Sequence, residues 1–362
     1  MSDFASRIER ARMSLDDRAL DALCLSVGSD LPYLTGYRAM PLERLTMLVL
    51  PAQGQGVLVV PALEAPRIDT SDGLYEVRPW AETEDPVAIV SDLLGASARV
   101  AVGDETWARF VLALQASDDR RAWVSAEPLM RELRTIKSAS EVAALRAAAR
   151  TVDGVVDQMA EVQFSGRTER DVAREFADRT LADGHEEVLF AIVASGENGA
   201  SPHHAPTDRI IQHGDAVVVD FGGHQASYSS DTTRMFVVGE SPYGFDDAYE
   251  VLRTAQAAAT AHVRPGVTAA SVDAVARDII TEAGYGDLFV HRVGHGIGMD
   301  THEHPYLVEG NDQELSTGMT FSIEPGIYVP EEWGMRLEDI VTVTDTGVEP
   351  LNRSDRGIRY VS

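Results

Sequence analysis

The sequence predicts an α+β protein of two domains, an N-terminal α/β domain over residues 1–130 and a mixed α and β domain over residues 131–362. Three observations carry this reading. A chain of 362 residues exceeds one typical domain and can bury a large core without staples. Short β-rich runs alternate with helical stretches through the first third, as in an α/β unit. The capping box Ser138-Ala139-Ser140-Glu141 then opens a long helix, and the order of elements changes beyond it.

Phe4, Ile8, Ala11 and Leu15 recur at helical spacing among arginines and Glu9, giving an amphipathic first helix. Strands are expected at Ala22 to Val27, Leu45 to Leu50, Gly56 to Pro61, Tyr75 to Trp80 and Val100 to Val102, with helices around Pro86 to Leu94 and Thr106 to Ala116. After the boundary, Val142, Leu145, Ala149, Val152, Val156 and Met159 mark the long helix, and Thr168 to Ala182 a second one closed by Gly184. Val188 to Val193 reads as a buried strand. Ala216 to Phe221 and Tyr228 to Val238 read as two strands joined by the turn Gly222-Gly223-His224-Gln225. Helices at Asp246 to Val263 and Thr268 to Ala283, separated by Pro265-Gly266, lead to two final β runs, Met319 to Val329 and Met335 to Thr344. No repeat stands out.

Composition narrows the function. Thirty-one basic against fifty-eight acidic residues give a net charge of −27, which excludes a basic face for nucleic acid and opposes anionic membranes. The single cysteine, Cys24, lies between apolar neighbours and reads as a buried, inert thiol. With no basic and apolar leader at Met1-Ser2-Asp3-Phe4 and no run long enough to span a bilayer, a cytoplasmic location is expected.

Chemistry concentrates between His291 and Pro305, where four of ten histidines surround three glycines. Glycines on both sides of His295 allow backbones to approach the imidazole closely; a glycine-rich turn carrying surface histidines is the alternative. Asp220, Asp231, Glu324 and Glu338 each sit at or beside an apolar strand, where a carboxylate needs a partner or a proton. Any one of them could cap a turn or pair with an arginine. Together with His295 they form an oxygen-rich donor set with one imidazole, suited to manganese, cobalt, iron or catalytic zinc, and four carboxylates balance two dications.

In order and spacing these residues resemble the metal-dependent aminopeptidase P, prolidase and methionine aminopeptidase family with the pita-bread fold. Asp220 stands in Asp-Phe-Gly-Gly, Asp231 eleven positions later in Ser-Asp-Thr-Thr-Arg, His295 in Gly-His-Gly-Ile-Gly, Glu324 in Ser-Ile-Glu-Pro-Gly-Ile-Tyr, and Glu338 in Arg-Leu-Glu-Asp. The resemblance implies a pita-bread catalytic domain with two divalent ions, manganese or cobalt ahead of zinc or iron. Asp220 would chelate one ion, His295 and Glu324 the other, and Asp231 and Glu338 would bridge them. Water between the ions would be the nucleophile and Glu324 its proton acceptor, with Thr233 orienting the site.

The resemblance also implies roles around that centre. His302, seven positions after His295, would bond the scissile carbonyl or its oxyanion. His203 would approach the scissile amide, with adjacent His204 the other candidate. His291 would lie near the substrate end, Tyr328 would contact the site from its strand end, and Arg336 would support Glu338. The additional N-terminal domain separates the chain from methionine aminopeptidases, the complete donor set from creatinases. The run Leu133 to Ser138 resembles small bacterial Xaa-Pro dipeptidases. The implied substrate is thus an Xaa-Pro dipeptide and the implied assembly a homodimer. Longer peptides cut by an aminopeptidase P, or a scaffold without catalysis, are the alternatives. One departure is Tyr306, where several prolidases carry an arginine for the dipeptide carboxylate; Arg44, assisted by Tyr228, is the expected replacement.

Overall fold

The computed structural model describes residues 3–70 and 73–362, so Met1 and Ser2 lie outside the described residues. The chain divides into two compact units, Met1–Arg134 and Thr135–Ser362. The helix Glu127–Thr135 runs through the boundary expected after residue 130 and carries the division to its own C-terminal end.

In the first unit, six described strands form one mixed sheet in the order Tyr75–Trp80, Gly56–Pro61, Met47–Pro51, Ala22–Leu25, Arg99–Val102 and Ala122–Ser125. The last strand and the short helix Asp30–Thr35 carry too little apolar periodicity to be read from sequence. The first helix, Asp3–Asp17, buries Ile8, Ala11 and Leu15 as its spacing requires. Cys24 lies in the core with Val49, Val59, Val90 and Val100, and burial pushes its thiol up to about 12, so it stays protonated.

The second unit rests on the strand Ala216–Gln225, which pairs with Glu187–Ser195 on one side and Thr232–Val238 on the other. Strand alternation divides its residues between two cores. Val217, Val219 and Phe221 pack with the helices Ala139–Met159 and Glu169–Ala182. Ala216 and Val218 belong to a larger core with the helices Phe245–His262 and Ala269–Glu282 and with Phe321, Ile323, Val341 and Val343. Asp220 shares the parity of Val218. Those last four residues come from a second sheet, ordered Glu303–Leu307, Gly294–Gly296, Thr320–Ile323, Asp339–Val343 and Val348–Pro350.

Three differences from the sequence reading bear on the site. The Gly222-Gly223 pair is not a turn: the strand continues to Gln225, and the chain reverses at Ala226 and Ser227, both with positive φ. These glycines serve close packing, since a Cβ would come within 2.1 Å of Ser230 O at Gly222 and of Glu187 O at Gly223. The runs Met319 to Val329 and Met335 to Thr344 each break in two, one at Glu324 and the other at Glu338. A relation between halves also emerges: Thr168 and Thr268 both cap a 14-residue helix and both make isolated antiparallel bridges, preceded by Gly166 and Gly266 and followed by Gly184 and Gly284, all with positive φ. The 100-residue offset is visible in the sequence at a few cap positions only.

Glu169, at the start of its helix and fully buried, accepts hydrogen bonds from the Ser195 and Thr207 backbones and hydroxyls and from Asn198. Burial alone would raise its carboxyl, but these donors outweigh it and hold the pKa down to about 2. A depressed carboxyl stabilises the fold above its unfolded value and loses that contribution as pH falls towards the folded one. Glu169→Gln is therefore expected to lower unfolding free energy at pH 7 on the order of 3 kcal/mol. The deficit should shrink between pH 4.5 and 2, as urea melts across that range would measure.

Candidate metal centre and active site

Alternation and strand breaks bring the five predicted donors to one place. Asp220 projects from the strand Ala216–Gln225 directly opposite Thr233. Asp231 occupies the break between Tyr228–Ser229 and Thr232–Val238, as Glu324 and Glu338 occupy theirs. An acid at such a break can turn its carboxylate inward without the pairing geometry of a continuous ladder.

His295 is fixed more tightly. Its strand, Gly294–Gly296, runs between Glu303–Leu307 and Thr320–Ile323. A Cβ on Gly294 would lie 2.0 Å from Ser322 O and one on Gly296 2.2 Å from His304 O. Only glycine fits on either side, so the alternative of a loose surface turn fails. Nδ1 of His295 donates to its neighbour's carbonyl, Gly296 O, at 3.1 Å; Nε2 faces Glu324 Oε1 at 3.1 Å and Asp231 Oδ2 at 3.7 Å, where it carries a proton shared with these acids or, with an ion in the proton's place, would offer its lone pair. Ser322 links the two donors from behind, accepting from His295 N–H and donating to Glu324. Sequence reasoning missed this serine, although it sits two residues before Glu324.

The donor atoms overlap in groups. Atoms of Asp220, Asp231 and Glu338 lie within 4.8 Å of one another; the same holds for His295, Glu324 and Glu338, and for Asp231, His295 and His302. At such separations each pair of ionised carboxylates repels by about 3–4 kcal/mol at an effective dielectric of about 20. Burial and then the neighbouring carboxylates push Asp231 and Glu338 well above the usual carboxylate range. Burial raises Asp220 too, against the pull of Arg336. Glu324 moves the other way, because hydrogen bonding and charge from His295 outweigh its burial. Asp220 Oδ1 and Glu338 Oε1 are buried without a hydrogen-bond partner among the described residues. Unpaired oxygens inside a cluster of excess negative charge are what a divalent cation would satisfy, so the residues fit the implied metal.

Arg336 supports the acids. Its guanidinium donates to Asp220 Oδ2, to Thr233 Oγ1 at 3.1 Å, to Tyr328 Oη at 2.9 Å and to Pro202 O at 3.1 Å. Thr233 in turn donates to Glu338 Oε2 at 2.8 Å. Arg336 thus reaches Glu338 through Thr233 and contacts Asp220 itself. Tyr328, whose hydroxyl burial pushes up to about 12, lies 2.9 Å from His291 Nε2.

The centre forms the floor of a cavity of about 850 Å³ within the second unit. His203, His291 and His302 line it, with Phe190, Ile192, Val290 and Val308 as an apolar wall. The imidazole of His302 lies with its centre 4.0 Å from that of His295, the two rings tilted by 53°. Partial burial, then the charges of His295, Arg292 and His203, disfavour protonation of His302. His203 faces the cavity whereas His204 binds Glu169, which separates the two candidates. Tyr228 is elsewhere: buried, it donates to Glu141 at 3.0 Å and does not line the cavity. Arg44 belongs to the first unit and is bound to Glu82 and Glu43 at its surface. The missed cation is Arg292, one position beyond His291, which lines the cavity over the ring of Tyr306.

Comparison with known proteins agrees with this arrangement. Residues 143–345 match the metallopeptidase family M24 and residues 7–136 the creatinase/prolidase N-terminal domain. The probable dipeptidase PepE of Mycobacterium tuberculosis is 45% identical over 96% of this chain and 94% of its own length. The crystal structure of dipeptidase PepE from Mycobacterium ulcerans superposes with a TM-score of 0.92 at 43% identity, covering 99% of this chain and 98% of that one. Prolidase from Thermococcus sibiricus gives 0.95 at 34% identity over the full length of both. A five-donor centre on this fold and matches along the whole chain make this protein a peptidase of metallopeptidase family M24 with a creatinase/prolidase-type N-terminal domain.

Proposed function

We propose that the chain hydrolyses Xaa-Pro dipeptides at a centre of two divalent metal ions, manganese or cobalt ahead of zinc or iron. The observation that carries this is the buried donor cluster, with two carboxylate oxygens unpartnered among the described residues, in a cavity also lined by Phe190, Ile192, Val290 and Val308. The relatives named for dipeptidase and prolidase activity support the substrate. Asp231, Glu338 and His295 each belong to two of the donor groups; by the family resemblance Asp231 and Glu338 would be shared between the ions, with Asp220 holding one and His295 with Glu324 the other. When bound, the ions supply a water of lowered pKa and polarise the scissile carbonyl.

The chain's own groups do the remainder. Glu324, kept ionised by His295, takes the proton of the attacking water. His302, held neutral, donates a hydrogen bond to the carbonyl oxygen as charge develops there. The leaving nitrogen of proline has no hydrogen of its own in the peptide, so it must receive a proton, and His203 faces the cavity to assist at that amide. The apolar wall of Phe190, Ile192, Val290 and Val308 suits the pyrrolidine ring. Arg336, with Thr233, positions the acids, and His291 with Tyr328 closes the substrate end. No described helix is long and apolar enough to cross a membrane; a homodimer is what the family resemblance implies.

Three outcomes test this reading. Chelator-stripped protein should regain hydrolysis of Ala-Pro on addition of manganese or cobalt and leave Ala-Pro-Ala intact; preferential cleavage of the tripeptide would make the chain an aminopeptidase P, and silence with every metal a scaffold. His302→Ala should lower kcat on the order of a hundredfold to a thousandfold with little change in KM, measured by steady-state kinetics. A carboxyl raised by burial destabilises the metal-free fold increasingly as pH rises above its unfolded value. Metal-free Asp231→Asn should therefore melt above the metal-free parent at pH 8, while manganese stabilises the parent more, as calorimetry with and without manganese would show.

A further inference from the structure

His302 stands on a stretch, residues 297–302, that has no regular backbone structure of its own, so its imidazole depends on outside contacts for its position. The stretch joins the strands Gly294–Gly296 and Glu303–Leu307, and Lys137 Nζ holds Glu303 Oε1 at 2.6 Å. Between those ends it is tied to the sheet of Ala216–Gln225 at two successive carbonyls. Ser229 N–H donates to Gly298 O at 2.8 Å, and His224 Nε2 lies 2.9 Å from Met299 O. The Ser229 hydroxyl reaches the same Met299 oxygen at 3.5 Å, the longer of its two side-chain contacts. A carbonyl oxygen only accepts, so Nε2 supplies the hydrogen. Nδ1 of the ring lies 2.6 Å from Oε1 of Glu187, which stands directly opposite His224 in the strand register. The buried imidazole is thus held at both nitrogens, with the proton between Nδ1 and Oε1 shared by the pair.

We propose that Glu187 and His224 are positioning residues for His302, an inference that rests on the role given to His302 above. Neither lines the cavity. Glu187 fixes the orientation of the His224 ring, as a carboxylate orients an imidazole in hydrolase triads. The ring in turn fixes the Met299 carbonyl, three residues before His302. A hydrogen bond to a developing oxyanion is sensitive to placement, and a displacement of about 1 Å costs on the order of a hundredfold in rate. The grip is made of side chains, whereas the neighbouring bond from Ser229 N–H is main chain and survives any side-chain variant. The His224 contact can therefore be removed by itself.

The test is a mutant cycle on hydrolysis of Ala-Pro by the manganese enzyme. His224→Leu should lower kcat on the order of tenfold, with KM and manganese affinity within about twofold of the parent. His224→Gln, whose side-chain amide can still donate to Met299 O, should recover most of that loss. In the His302→Ala background His224→Leu should cost nothing further, because the group it positions is gone. If His224→Leu does not fold, Glu187→Ala at its half-exposed site carries the same cycle, with a smaller loss of kcat that also disappears with His302. Losses that simply add to that of His302→Ala, weakened manganese binding that accounts for them, or an unchanged kcat would overturn the positioning role alone. A His302→Ala enzyme with the parent's kcat would overturn the role of His302 and this proposal with it.

Discussion

Asp220, Asp231, Glu324 and Glu338 converge with their oxygens only a few ångströms apart, and their mutual repulsion must be offset by something the surrounding residues cannot supply in full. One guanidinium, two hydroxyls and one imidazole face the four acids. That leaves an excess of negative charge in a poorly solvated place, with two carboxylate oxygens that no group among the described residues meets. Much of the neighbouring sequence answers this demand. Arg336 is buried with nearly every donor occupied, Thr233 couples it to Glu338, and Ser322 ties Glu324 to the His295 strand.

Residues that face the substrate are carried by segments of less regular backbone, and the fold tethers these individually. His203 lies beyond the 3-10 turn Gly196–Ala200, in a stretch gathered around Glu169 through Ser195, Asn198, His204 and Thr207. A buried carboxylate far in sequence thus fixes the path of a loop that bears an active-site candidate. The stretch from Phe289 to Val293 depends in the same way on Asp273 and Arg277 of the preceding helix. Loops so held can place a side chain almost as firmly as a strand.

The donor set was legible because its residues are types that are costly beside apolar strands, and because their spacing follows a family pattern. The glycines around His295 gave a correct signal for a physical reason: neighbouring carbonyls occupy the space a Cβ would need. The same logic misled at Gly222-Gly223, where close packing looked like a turn. Strand breaks at Glu324 and Glu338 were hidden because the flanking residues are equally apolar on both sides, so periodicity carried no mark of interruption. Tyr228 and Arg44 were assigned to stand in for the arginine absent at 306; Tyr228 instead donates to Glu141, far away in sequence, and Arg44 pairs with adjacent Glu43 and with Glu82. Arg292 could have been weighed from its place beside His291 and from the absence of an arginine at 306.

The related halves seen in the capped helices carry a thermodynamic consequence. Asp220 and Asp231 belong to the sheet that follows the first helix pair, whereas His295, Glu324 and Glu338 belong to elements that follow the second. Each helix pair has a separate apolar core, and the strand Ala216–Gln225 contributes to both. A cation shared by Asp220 and Glu338 would act as a cross-link between chain positions far apart in sequence, closing a long loop whose freedom the unfolded chain would otherwise enjoy. Ion binding would then add to the cooperativity of the whole unit, tying together the two apolar cores that the strand Ala216–Gln225 already joins.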